Sequence, residues 1–226
     1  SPLRLDDKAN DFDAFVFGSD QIWNRWLTQS DDVFWGNAST FEGKKRIAYA
    51  ASAGSVKALE EDAIAHLERF DAVSVREKSL ADYLNTFTKK RIQTVLDPVL
   101  LAGKDVFSAI ATTKKRPPYL LYFTLDGDVK LRLIAEKLAK NRNLELIEVM
   151  SSNTCFTKGN VKHVLSVNDF LGLFMNADFV VTKSFHGTAF SILFEREFMV
   201  YYDGQEVPER MHNLLYTLGL GNRLKH

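Results

Sequence analysis

Three short polar stretches carry the residues that could do chemistry. In Thr182-Lys183-Ser184-Phe185-His186-Gly187 an imidazole stands beside a hydroxyl and a cation. Histidine changes charge near neutral pH, so His186 can give or take a proton. Lys183 and Ser184 offer an anion a positive charge and a donor, and Gly187 lets backbone come close. In Ser74-Val75-Arg76-Glu77 the guanidinium of Arg76 can grip phosphate or carboxylate through two parallel hydrogen bonds. In Gly18-Ser19-Asp20-Gln21 a hydroxyl, a carboxylate and an amide together can meet the hydroxyl groups of a ligand.

The elements that must position these residues are legible around them. Each stretch follows an apolar run bounded by polar residues: Ala14-Phe15-Val16-Phe17, Ala72-Val73-Ser74-Val75 and Phe179-Val180-Val181. Such runs predict buried strands. Residues from Thr188 to Phe194 recur at helical spacing, and a helix is expected from Arg76 to about Phe87. The turns then lie at the carboxyl ends of strands, where ligands bind in open α/β sheets. A helix start adds unpaired N–H groups, so an anion is the natural guest. Arg76 at a helix start works against the helix dipole unless an anion offsets it.

The rest of the chain repeats the alternation. Strands are expected at Arg46–Gly54, Ile92–Val95, Tyr119–Thr124, Leu144–Met150, Lys162–Val164 and Phe198–Tyr202. Helices are expected at Lys57–Phe70, Leu101–Thr113, Val129–Lys140, Ser166–Asn176 and Glu209–Leu218, with a loop from Ser151 to Gly159. Ser166 is the expected N-cap of its helix, with Asp169 three residues on. Strands separated by helices argue for parallel sheets with crossover helices. Lys114-Lys115-Arg116-Pro117-Pro118 is the strongest linker signal. It predicts a first Rossmann-like domain over 1–113 and a second over 119–226. The first strand has no βα unit before it, so the amino-terminal domain is expected to be incomplete.

Composition narrows the function. Lys+Arg and Asp+Glu both number 29, so no global field favours nucleic acid. No apolar run approaches the ~18 residues that span a bilayer. The single cysteine, Cys155, excludes an intrachain disulfide framework and fits a reducing compartment. No metal-ligand spacing, Walker loop or G-x-G-x-x-G is present, so neither a metal nor a dissociable cofactor is expected. Asp97, before Pro98, is read as ordering a turn, and His163 is given no chemistry.

The stretch T-x-S-F-H-G-T-A-F after ADFVV resembles the hallmark of the polysaccharide pyruvyl transferase family. FDAFVFGSDQIW, IAYAASAG, VSVRE, VLDPVLL and RMHNLLYTLGL follow that family's order as well. The resemblance implies two Rossmann-like domains of the glycosyltransferase B type. It also implies transfer of a pyruvate ketal from phosphoenolpyruvate to a sugar of a bacterial cell-surface polysaccharide or its lipid-linked precursor. The implied location is the cytoplasm, at the inner face of the membrane, with peripheral membrane association and a homo-oligomer left open. By the same resemblance His186 and Arg76 are the catalytic pair, expected to face one cleft. Ser19, Asp20 and Gln21 would take sugar hydroxyls, and Trp23 either stacks on the sugar or fills the core. The family's R-L-H-G is here Ser184-Phe185-His186-Gly187, which leaves Lys183 to replace the arginine's charge. A B-type glycosyltransferase using a nucleotide sugar, and a non-catalytic carbohydrate-binding or assembly subunit, stay open as alternatives.

Overall fold

A computed structural model describes residues 11–59, 62–150, 161–162, 165–204 and 206–226. Cys155, His163 and the expected Ser151–Gly159 loop lie outside the described residues. The chain divides into two compact units. One comprises Ser1–Pro98 with Pro208–Asn213, the other Val99–Val207 with Leu214–His226. The Lys114–Pro118 segment runs within the second unit.

The first unit is built on a parallel sheet of four strands in the order β1 (Ala14–Phe17), β2 (Lys45–Ala51), β3 (Ala72–Val75) and β4 (Gln93–Thr94). Helices α1 (Arg25–Thr28), α2 (Ala63–Leu67) and α3 (Lys78–Asn85) join them. Trp23, Trp35, Leu67, Phe70, Val75, Leu80 and Leu84 share one buried core. Trp23 and Trp35 stack with centroids 4.5 Å apart, and the Trp23 indole N–H donates to the Phe34 carbonyl oxygen. Trp23 is 1% exposed. Of its two readings, the core one holds.

α4 (Pro98–Ala102) starts on the last residue of the first unit's opening segment and runs into the second unit, where α5 (Lys104–Ile110) follows. One continuous helix was expected there, and Gly103, at φ +82°, interrupts it. The sheet that follows has six strands, ordered β10 (Leu224–Lys225), β9 (Phe198–Tyr201), β8 (Phe179–Thr182), β5 (Tyr119–Thr124), β6 (Glu145–Met150) and β7 (Val161–Lys162). Every pairing is parallel. Its helices are α6 (Val129–Asn141), α7 (Val167–Met175), α8 (Phe185–Leu193) and α9 (Glu209–Thr217), the last beginning in the first unit's share of the chain.

Local chemistry explains these starts. Asp128 caps α6 by accepting from the Leu131 amide at 3.0 Å, and Ser166 caps α7 by accepting from Asp169. Arg132 forks onto buried Glu148 with two bonds of 2.8 Å, tying α6 to β6. All six residues of β5 are buried, as expected for the centre of a parallel sheet covered on both faces.

Candidate functional site

In the six-stranded sheet the direction of winding reverses beside β5. From β5 the chain moves to β6 and β7 on one side, then returns to β8 on the other. The crevice outside the carboxyl ends of β5 and β8 is therefore a topological switch point, the usual ligand position in such sheets. Thr124, Asp126 and Asp128 come to it from β5, and Lys183, Ser184 and His186 from β8.

The turn after β8 is shorter than expected, because α8 already begins at Phe185. Ser184 is its N-cap, accepting from the Gly187 amide at 3.4 Å. His186 therefore sits in the first helical turn, partly exposed, with its ring edge-on to Phe185 at 5.5 Å. Gly187 is buried within the helix. A Cβ there would stand 2.7 Å from both Phe123 Cδ1 and Thr182 Oγ1, so glycine is what lets α8 approach the sheet.

Lys183 is held by two carboxylates, Asp126 at 2.8 Å and Asp128 at 3.0 Å. The Tyr202 hydroxyl fixes its carbonyl oxygen at 2.8 Å. Burial is the largest influence and opposes the charge on each of the three groups; their mutual hydrogen bonds and charges, with the Leu131 amide on Asp128 and the Thr124 hydroxyl on Asp126, together outweigh it. Lys183 is raised above the ordinary lysine range, while Asp126 and Asp128 are held below that of a free carboxylate. Asp128 is also committed to the α6 cap. Asp126, with 61% of its side chain exposed, is the looser partner.

The first unit gathers the other candidates at the carboxyl edge of its sheet. Arg76 precedes α3 by two residues, because Glu77 is extended at φ −102°, ψ 135°. This corrects the expectation that Arg76 opens the helix. The anions that offset its charge belong to the chain. Its guanidinium donates to Asp97 at 2.8 Å and to Asp20 at 3.1 Å. Arg76 and Asp97 keep 3% and 1% of their side chains exposed, whereas Asp20 keeps 61%. Ser19 donates to the same Asp97 oxygen at 3.3 Å. Gln21 turns aside to accept from Asn24 at 2.9 Å.

Glu77, beside Arg76, is buried and accepts from Ser52 at 2.5 Å. Its second oxygen has no hydrogen-bond partner among the described residues. Burial pushes this carboxyl up, against the Ser52 hydrogen bond and the charges of Arg76 and Arg210. Asp97 was read as ordering a turn and Glu77 was given no role; the structure places both beside Arg76. The Asp-Pro dipeptide signalled a turn, but nothing local shows which cation that aspartate meets 21 residues away.

Among the described residues, no group of His, Cys, Asp and Glu is placed to hold a metal ion, and no helix is long and apolar enough to cross a membrane. The profile of the polysaccharide pyruvyl transferase family matches residues 1–203. The chain belongs to that family. No curated protein matches it. Among solved structures it is similar to a protein described as a UDP-N-acetylglucosamine 2-epimerase from Listeria monocytogenes. The identity is 14% and the TM-score 0.55, with 90% of this chain covering 61% of the other. The chain thus spans less than two thirds of that structure's length. The likeness shows the fold, an α/β chain with two parallel sheets of the glycosyltransferase B type. A second structure, titled as the glycotransferase of kitacinnamycin, aligns at 13% identity and a TM-score of 0.39, over 88% of this family member and 46% of its own chain.

Proposed function

We propose that this family member transfers pyruvate from phosphoenolpyruvate to two hydroxyls of a saccharide, forming a cyclic ketal and releasing phosphate. The observation that carries the reading is the family match over residues 1–203. The site is compatible with it, because His186 and Lys183 flank a switch-point crevice at the start of α8, where negative charge is favoured.

In this reading the donor's anionic groups meet Lys183 and the amides that open α8. Exposed Asp126 gives way to the donor, while Asp128 keeps its hold on the ammonium. His186 gives a proton to the methylene carbon as the first hydroxyl adds to the neighbouring carbon and loses its own proton to solvent, from which His186 is protonated again. The second hydroxyl then displaces phosphate and closes the ketal. Its proton leaves with the phosphate.

A thermal-shift comparison of phosphoenolpyruvate with nucleotide sugars tests the donor. Phosphoenolpyruvate at 100 times its dissociation constant should stabilise the chain by about 2.7 kcal/mol. Stabilisation by nucleotide sugars, with none from phosphoenolpyruvate, would favour glycosyl transfer and overturn the reading.

A further inference from the structure

We propose that Glu77 is a proton-gated lock: its protonation state sets how firmly Ser52 ties together the loops at the carboxyl edge of the four-stranded sheet. Every group involved lies in the first unit, and the inference goes beyond the pyruvyl-transfer reading without depending on it.

Ser52 is the hub of that edge. It follows β2, is fully buried and uses each of its polar groups. Its amide donates to the Asp20 carbonyl oxygen at 2.9 Å, and its carbonyl oxygen accepts from the Trp23 amide at 3.1 Å. Its hydroxyl accepts from the Gly54 amide at 3.0 Å and donates to Glu77 at 2.5 Å. The loop of residues 18–24, the 52–54 turn and the junction of β3 with α3 thus meet at one side chain. The first of these carries Ser19, Asp20 and Gln21, the residues expected to meet sugar hydroxyls.

Glu77 is an unusual anchor for such a hub. It is 2% exposed, and its Oε2 has no hydrogen-bond partner among the described residues. A buried carboxylate needs a paired cation and filled lone pairs. The Arg76 Nη1 and Nη2 go instead to Asp97 and Asp20, and its Nε stands 4.0 Å from Glu77 Oε1. From α9 come one charge of each sign, Arg210 favouring ionisation and Glu209 opposing it. Glu209 is itself committed to the Ser79 amide and hydroxyl at the start of α3. Burial is the largest influence on Glu77 and leaves its carboxyl above the ordinary glutamate range. Neutral Glu77 keeps the Ser52 bond at little desolvation cost, whereas ionised Glu77 leaves a charged oxygen buried without a partner. The folded chain therefore holds this proton more tightly than the unfolded one. The resulting stability is fully present below about pH 4.3, the unfolded glutamate value, and is lost as pH rises through the folded value.

The test compares the whole chain with Glu77→Gln, which keeps an acceptor for Ser52 and cannot ionise. Thermal midpoints of the two should nearly coincide at about pH 4 and diverge above about pH 4.3. By about pH 8 the variant should stand about 2–4 °C above wild type. Amide hydrogen exchange reads the lock itself. Protection of the Ser52 and Trp23 amides, corrected for the intrinsic pH dependence of exchange, should fall with rising pH in wild type and stay level in Glu77→Gln. Carbon-13 NMR of the wild-type Glu77 carboxyl needs no variant, and that group should titrate above the ordinary glutamate range. Titration at or below about 4.3 overturns the proposal. So does a Glu77→Gln chain that fails to fold, is less stable than wild type at about pH 8, or keeps the same gap at every pH. Equal loss of protection in both chains overturns it as well, because the loops would then loosen without this proton.

Discussion

At the scale of single residues, charge is placed next to charge, and the pairing decides how each group can act. Lys183 was expected to replace a missing arginine, and the structure adds that it is already bound to Asp126 and Asp128. This linkage has a definite pH signature. Both carboxylates have depressed pKa values in the folded state, so their contribution is present at neutral pH and fades as pH falls below about 3.9, the unfolded aspartate value. Lys183→Met should therefore lower stability at pH 7 by about 1 kcal/mol or less, given the exposure of Asp126. The gap from wild type should close on acidification. Thermal midpoints measured from pH 7 to pH 3 check this, and a constant gap would show that Lys183 stabilises by packing alone.

At the scale of elements, apolar β-branched runs were the most legible signal. The expected strand Tyr119–Thr124 is the observed β5, and the expected helix over Val129–Lys140 is α6 but for one residue. Amphipathic spacing overstated the length of one element. Among the described residues of the expected helix over Lys57–Phe70 are the end of a 3-10 turn (Val56–Ala58) and α2 (Ala63–Leu67). The two-residue strand β10 carries too few residues to show any period. The candidate site was readable as turns at strand ends, because strand–turn–helix order is local. The Arg76–Asp97–Asp20 cluster was not, because it joins three loops far apart in sequence. Gly187 is a related case: the sequence offered it as room for a ligand, and the structure shows it as room for β5 and β8. Gly187→Ala should thus destabilise the second unit by about 1–3 kcal/mol, as overpacking does. Denaturant unfolding measures this, and an unchanged midpoint would mean that Phe123 can give way.

At the scale of the whole chain, balanced charge and two parallel sheets suit many chemistries, and a fold alone selects none of them. Family membership narrows the choice, and the chemistry of the switch-point crevice is what remains to be read out. The most direct measurement is mass spectrometry of a saccharide incubated with phosphoenolpyruvate and the whole chain, with phosphate followed in parallel. The account predicts a saccharide heavier by one pyruvyl ketal, one phosphate released for each ketal formed, and neither product from His186→Ala. An unmodified saccharide across a panel of acceptors, or equal turnover by His186→Ala, would contradict it.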